Sequence, residues 1–120
     1  MLKNVLGNHY LIDYYDCNKN ILSVVNNIKE IMLNAGIIGN LHIVEECFHQ
    51  FKPYGVSGVL ILKESHFTIH TWPEYNYASV DLYFCDKNVD ISKIIEFLNK
   101  EFMSKKYEIK KIERGIISNN

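Results

Sequence analysis

The chain has 120 residues, 48% hydrophobic and 22% charged, so it is long enough to bury the core of one domain without disulfide bonds. Lys and Arg number 13 against 14 Asp and Glu, and this balance, without a basic cluster, excludes the electrostatic footprint of a nucleic-acid or anionic-membrane binder. The sequence has no signal peptide, no apolar membrane span and no CxxC pair among its three cysteines, so we expect a single domain, residues 1–120, in a reducing cytoplasm.

The first part of the chain predicts a strand followed by one helix. Residues 10–15, YLIDYY, are β-branched and aromatic, as is typical of a strand, and residues 17–20 form a polar break that can cap a helix. From Ile21 to Ala35 apolar residues recur at helical spacing. Gly36 then stands where a left-handed C-terminal cap is expected.

The middle of the chain predicts antiparallel sheet. Four segments read as strands, LHIVEECFHQ, VSGVLILK, HFTIHTW and ASVDLYFC, with turns expected at Glu64-Ser65 and from Pro73 to Asn76. Asp90 can cap a second helix with one apolar stripe, and YEIKKIER alternates like a last strand. The predicted order is therefore β, α, four strands, α, β.

This order predicts an α/β (α+β) fold, a two-layer sandwich in which a mainly antiparallel sheet carries two helices on one face. Two helices cannot easily cover both faces of such a sheet, and YLIDYY and VDLYF carry large side chains on both sides. Because an exposed face of this kind usually marks an interface, we expect a homodimer with sheet packed on sheet, an αββα arrangement. A monomer with scattered exposed tyrosines is the alternative.

The segment KESHFTIHTW, residues 63–72, carries more hydrogen-bonding side chains than a core strand needs. A buried polar atom without a partner costs about 1–3 kcal/mol, so such side chains need a use. Ser65 offers a hydroxyl nucleophile, His70 a base and Cys85 a thiol acid, and antiparallel pairing can bring them to one end of the sheet. On propensity alone, Glu64-Ser65-His66 can also be a polar hairpin turn.

A longer stretch, PYGVSGVLILKESHFTIHTWPEYNYASVDLYFC at residues 53–85, closely resembles the prokaryotic S-adenosylmethionine decarboxylase proenzymes. The hallmark of that family is ESHxxIHTWPE followed by a strand that ends in Cys. GNHYLIDYYDC at residues 7–17 resembles the opening strand of the family, and ERG at 113–115 resembles its closing strand. The likeness therefore covers nearly the whole chain.

The resemblance implies that the chain cuts itself between Glu64 and Ser65, giving a β chain of residues 1–64 and an α chain of residues 65–120. In the family, the serine hydroxyl attacks the preceding carbonyl to form an ester, and β-elimination leaves a pyruvoyl group at the start of the second fragment. Ser65 would thus become a covalent pyruvoyl cofactor, which serves as electron sink in place of pyridoxal phosphate. The implied reaction is decarboxylation of S-adenosylmethionine to supply the aminopropyl donor for spermidine.

The resemblance also implies roles for individual residues. His70 matches the histidine that helps to remove the serine α-proton during cleavage, although a strand histidine can simply bond a backbone carbonyl. Ser57 matches a serine that assists processing, and a hydroxyl satisfied within the sheet is the alternative. Cys85 matches the thiol that returns a proton to the substrate carbon, and a buried packing cysteine is its alternative. Cys17 and Cys47 match no catalytic position and are expected to pack in the core.

S-adenosylmethionine carries a sulfonium, an adenine and a ribose, so its pocket should offer aromatic faces and a carboxylate. By resemblance, Phe51 and Glu74 bind the substrate, and Trp72 lines the same pocket. We expect no metal, because the HxxxH spacing of His66 and His70 suits a helix and strand periodicity brings no third ligand near them.

The sequence departs from the family at Asn76, usually glycine, and at Phe84 and Asp86, where the family often has a small hydroxyl residue and glycine. Relatives of the fold that decarboxylate arginine or ornithine are therefore an alternative, with the additional carboxylate supplied by Asp86, Glu45 or Glu46. A non-catalytic relative that regulates an active partner is a further alternative, but such proteins typically lose the processing serine or histidine.

Overall fold

A computed structural model describes residues 2–119 as a six-stranded sheet with helices on one face. The strands are β1 (Leu2–Tyr15), β2 (Ile43–Gln50), β3 (Val56–Leu62), β4 (Ser65–Trp72), β5 (Tyr77–Phe84) and β6 (Lys106–Asn119). They stand in the order β2-β3-β4-β5-β1-β6, and every neighbouring pair is antiparallel. The predicted fold class is confirmed.

The helical layer contains α1 (Lys19–Ser23), α2 (Val25–Ile38) and α3 (Ile91–Glu101). The prediction of one helix from Ile21 is wrong, because Val24 is extended, with φ −117° and ψ 126°, and separates α1 from α2. The side chain of Gln50 accepts a hydrogen bond from the Val25 amide at 2.7 Å and donates one to the Ser23 carbonyl at 2.8 Å. It thereby satisfies backbone groups that an unbroken helix would have paired internally.

Two helices begin at a residue whose side chain caps the helix. Asn18 and Asp90 accept hydrogen bonds from the amides of Ile21 and Lys93, each at 3.1 Å, so both act as N-caps. The cap expected at Asp90 is therefore confirmed. The cap expected at Gly36 is wrong, because Gly36 lies inside α2, which ends at Ile38 and has Gly39 as its C-cap.

The core lies between the helices and one face of the sheet, as strand periodicity requires. Phe67 and Ile69 of β4 are fully buried on this side, while His66, Thr68 and His70 alternate onto the other. The buried hydroxyl of Tyr14 donates to the Ile95 carbonyl of α3 at 3.0 Å and ties the two layers together. Cys17 is also buried, and burial raises the pKa of its thiol to about 11, as fits a packing role.

The other side of the sheet, which we call the open face, carries both polar and apolar side chains. Val59, Ile61, Trp72 and Ile112 are each more than a third exposed there. Cys47 is exposed on β2, so the expectation that it packs in the core is wrong for the single chain. Within residues 2–119 no helix is long and apolar enough to cross a membrane.

Candidate active site

The predicted scissile bond joins a tight turn to the start of β4. Leu62 pairs with Ser65, so the turn residues are Lys63 and Glu64, and Ser65 is the first residue of the strand rather than part of the turn. Glu64 has φ 62°, in the left-handed region. A non-glycine residue held there stores about 1–3 kcal/mol of strain. The strain thus falls on the residue whose carbonyl would be attacked.

Ser65, Glu64 and Cys85 are neighbours in space. The Ser65 Oγ atom lies 3.7 Å from the Cys85 Sγ atom, which itself lies 3.8 Å from the Glu64 carbonyl oxygen and 3.9 Å from the Glu64 Oε2 atom. The register explains this contact, because His66 pairs with Tyr83 and Cys85 directly follows the end of β5. A hydroxyl, a thiol and a strained carbonyl therefore share one corner of the sheet.

A cavity of about 390 Å³, the Ser65 cavity, opens beside this corner. One wall comes from the connection between α2 and β2, which is held to the turn by a 3.1 Å hydrogen bond from the Lys63 amide to the His42 carbonyl. Asn40 and His42 were not singled out from the sequence, since nothing local indicates that this connection folds over the turn. The lining residues are Asn40, Leu41, His42, Leu62, Lys63, Glu64, Ser65, Phe84, Cys85, Asp86 and Val89.

The predicted processing pair, Ser57 and His70, lies elsewhere. Ser57 of β3 faces His70 of β4, and the Ser57 Oγ and His70 Nδ1 atoms are 2.7 Å apart. His70 follows Ser65 by five residues of extended strand, roughly 17 Å, and strand alternation places it on the open face. The single chain therefore does not bring His70 to Ser65, although the sequence led us to expect them at one end of the sheet.

The substrate-binding candidates gather around His70. Phe51 and Trp72 have exposed aromatic faces, at 48% and 39% relative exposure, and Glu74 is exposed as well. All of them, with Ser57 and His70, line a second cavity of about 310 Å³, the His70 cavity. Its complete lining is Phe51, Tyr54, Gly55, Ser57, His70, Thr71, Trp72 and Glu74.

The three positions at which the sequence departs from the family pattern each have defined contacts in the structure. Asn76 has φ 53°, a left-handed conformation that asparagine tolerates, and its side chain donates to the Cys17 carbonyl at 3.0 Å. Phe84 is buried and stacks on Tyr10 with ring centroids 5.7 Å apart. The Asp86 carboxylate lines the Ser65 cavity and accepts a 2.8 Å hydrogen bond from the Asn88 amide.

The other carboxylates considered for arginine or ornithine lie away from both cavities. Glu46 forms an ion pair with Lys29 at 3.6 Å, and neither Glu45 nor Glu46 lines the Ser65 cavity or the His70 cavity. Of the three carboxylates, only Asp86 stands near the predicted reaction centre.

His66 points away from Ser65, onto the open face, and does not pair with His70 four residues further along the strand. Its ring instead meets His9 of β1 edge to face, with ring centroids 5.6 Å apart. Burial and then the neighbouring His9 lower the pKa of His66, because both disfavour the protonated ring.

Known proteins resemble the chain over most of its length. A family model described as S-adenosylmethionine decarboxylase matches residues 8–115. An S-adenosylmethionine decarboxylase proenzyme of Thermosipho melanesiensis is 46% identical over 110 residues, which cover 92% of this chain and 85% of that protein. One of Pyrococcus horikoshii is 38% identical over 113 residues, covering 94% of this chain and 81% of that protein.

A solved structure agrees with these sequence relatives. The crystal structure of the adenosylmethionine decarboxylase from Aquifex aeolicus matches with a TM-score of 0.89 at 31% identity, and the match covers 98% of this chain and 97% of that chain. The resemblance drawn from ESHFTIHTWPE is thereby confirmed. The chain belongs to the S-adenosylmethionine decarboxylase family.

Proposed function

We propose that this chain is a proenzyme that cuts itself between Glu64 and Ser65 and then decarboxylates S-adenosylmethionine. The observation that carries the proposal is the meeting of the Ser65 hydroxyl, the Cys85 thiol and the left-handed Glu64 carbonyl beside the Ser65 cavity. Family membership supports the same activity, since the matched relatives are named decarboxylase proenzymes.

Self-cleavage uses groups of the chain itself. The Ser65 Oγ atom attacks the Glu64 carbonyl carbon, and the peptide bond is exchanged for an ester as the Ser65 nitrogen takes a proton. Loss of the Ser65 α-proton then expels the Glu64 carboxylate and leaves a dehydroalanine, which water converts to a pyruvoyl group with release of ammonia. Local strain at Glu64 lowers the cost of reaching the tetrahedral stage of the first step.

The surroundings of Ser65 fit a small carbonyl cofactor at this position. A pyruvoyl group supplies an electron sink, so that carbon dioxide can leave a bound amino acid. Cys85 lies beside Ser65 and can deliver a proton from its Sγ atom to the substrate carbon that has lost its carboxylate. The exposed rings of Phe51 and Trp72 can receive the adenine and the sulfonium, and Glu74 can accept hydrogen bonds from the ribose.

We further propose that a homodimer completes the active site. Each chain carries two sets of candidate residues at opposite ends of β4. The Ser65 group consists of Glu64, Ser65 and Cys85, and the His70 group consists of Phe51, Ser57, His70, Trp72 and Glu74. Neither group alone contains every residue that the chemistry requires. The open face exposes Val59, Ile61 and Trp72, as a sheet-on-sheet interface would. A two-fold axis across this face can set the His70 group of one subunit against the Ser65 group of its partner.

A mixed dimer tests this arrangement. Ser65→Ala and His70→Ala chains, differently tagged, are expressed together, and dimers with one chain of each kind are isolated. In these dimers the His70→Ala chain should be cut, because its own Ser65 meets His70 of the partner subunit. The same chain alone should be cut about 10²–10⁴-fold more slowly, since it lacks the base.

The fragment pattern on a denaturing gel distinguishes the possible arrangements. A His70→Ala chain that stays as uncut in the mixed dimer as it is alone would place the base within its own subunit and contradict the two-chain site. Rapid cutting of that chain on its own would remove His70 from the cleavage step altogether.

Substrate choice gives a second test. Cut enzyme should release carbon dioxide from S-adenosylmethionine and not from arginine or ornithine, because the exposed rings of Phe51 and Trp72 suit an adenine and a sulfonium, and arginine and ornithine carry neither. The measurement is release of labelled carbon dioxide from each compound under the same conditions. Preferential release from arginine or ornithine would contradict the proposed substrate while leaving self-cleavage intact.

A further inference from the structure

A polar cluster on the open face is not used by the proposed reaction. It consists of His9 of β1, His66 of β4 and Asp81 of β5, and one potential ligand atom from each lies within 4.8 Å of the other two. The sheet register explains the convergence. His9 and His66 both pair with Tyr83, from opposite sides of β5, and Asp81 precedes Tyr83 by two residues on the same face.

The cluster is arranged for a ligand rather than for internal hydrogen bonds. The His9 Nε2 atom is buried without a hydrogen-bond partner among the described residues, a state that costs free energy of folding unless a group from outside the chain satisfies it. The Asp81 Oδ2 atom lies 3.6 Å from it, beyond good hydrogen-bond geometry. The His9 and His66 rings, from the two strands that flank β5, are perpendicular to each other.

We propose that His9, His66 and Asp81 bind one divalent transition-metal ion, with Zn²⁺ as the leading candidate. Two imidazoles and a carboxylate are a known zinc ligand set, and they leave a fourth position for water. Mg²⁺ and Ca²⁺ fit poorly, because both require mainly oxygen ligands. Arg114, whose guanidinium lies 5.8 Å from the Tyr83 ring centroid, opposes a cation, and the Asp81 carboxylate offsets that charge.

The position of the cluster gives the ion a structural task, and this step rests on the proposed cleavage. His9 belongs to residues 1–64, whereas His66 and Asp81 belong to residues 65–120. A bound ion would link strands β1, β4 and β5 and so hold the two fragments together. One of its ligands, His66, would directly follow the new chain end at Ser65. Strand alternation puts the ion on the open face, at the strand position next to Ser65.

Metal content after expression with added zinc and extensive dialysis tests the site. The wild-type protein should hold close to one Zn²⁺ per chain, and the near-isosteric Asp81→Asn and His66→Gln variants should lose it. We expect each variant to bind at least about 100-fold more weakly, since even changes in outer-shell partners cost 10–100-fold. His49→Gln, a change to an exposed histidine on β2, should retain the ion.

Two further measurements separate metal binding at this cluster from the effects of self-cleavage and from metal binding at a cysteine. The uncut Ser65→Ala chain should bind Zn²⁺ as the wild type does, so failure of self-cleavage would not be read as failure of the site. Co²⁺ bound at this site should give visible d–d absorption without a thiolate charge-transfer band. No bound metal, retention of metal by Asp81→Asn and His66→Gln, or a thiolate band would overturn the proposal.

Circular dichroism identifies any variant that is unfolded. Zn²⁺ should raise the Tm of folded wild-type protein and of His49→Gln, and leave the Tm of Asp81→Asn unchanged. An equal rise in all three proteins would also overturn the proposal.

Discussion

Replacing Ser65 with alanine is expected to leave the chain uncut and without decarboxylase activity. Alanine has no hydroxyl to attack the Glu64 carbonyl, so neither the ester nor the new chain end can form. Because the electron sink itself would be missing, activity should fall to background, a loss on the order of 10⁶-fold or more. Denaturing gels and carbon dioxide release from S-adenosylmethionine measure the two effects.

Ser92→Ala is the matched control for this change. Ser92 is exposed on α3, away from the Ser65 and His70 cavities, so its loss should affect neither cutting nor turnover. The Ser65→Ala protein should remain folded, since Ser65 is half-buried and, within residues 2–119, the one hydrogen-bond contact of its hydroxyl is with the Cys85 thiol at 3.7 Å. A Ser65→Ala chain that was still cut at this bond, or still active, would contradict the assigned role.

Replacing Cys85 with alanine should separate cleavage from turnover. The change keeps the Ser65 hydroxyl and the strained Glu64 carbonyl, so the chain should still be cut. It removes the thiol that lies 3.7 Å from the Ser65 Oγ atom, and proton delivery of this kind is worth about 10²–10⁴ in rate. We expect that loss in kcat, with KM little changed, because binding would depend on the residues of the His70 cavity.

The matched control is Cys47→Ala, which removes an exposed thiol outside both cavities. Its kcat should equal that of the wild type, and Cys85→Ser should fall between wild type and Cys85→Ala, because a hydroxyl is a weaker acid than a thiol. Unchanged turnover in Cys85→Ala would show that the proton comes from elsewhere. A Cys85→Ala chain that stayed uncut would place the thiol in processing instead.

Much of the fold could be predicted from local patterns. Apolar and polar residues alternate in segments such as HFTIHTW, which indicates a strand with one buried face. The apolar stripe of α3 likewise indicates one buried helix face, so a sheet layer packed against a helix layer could be predicted. The break at Val24 could not be predicted, because it depends on hydrogen bonds with the side chain of Gln50, 26 residues further along the chain. Helical periodicity continues through that break in the sequence.

The site was predictable only in part, for a similar reason. The ESHFTIHTWPE motif identified the residues, and the register then placed Cys85 against Ser65. The prediction that His70 lies beside Ser65 is wrong for the single chain. The two residues are five positions apart on one extended strand, so they lie far from each other and on opposite faces of the sheet. No local pattern predicts that Asn40 and His42 line the Ser65 cavity, or that His9 lies near Asp81. Both depend on packing between segments that are distant in the sequence.

Intact mass spectrometry of freshly purified protein, in neutral buffer with a reductant, shows whether the chain cuts itself. We expect two species, residues 1–64 and residues 65–120, the second lacking a free amino group and reacting with hydroxylamine as a ketone. A single species at the full-length mass of 14.1 kDa, inert to hydroxylamine, would contradict self-cleavage and the activity built on it.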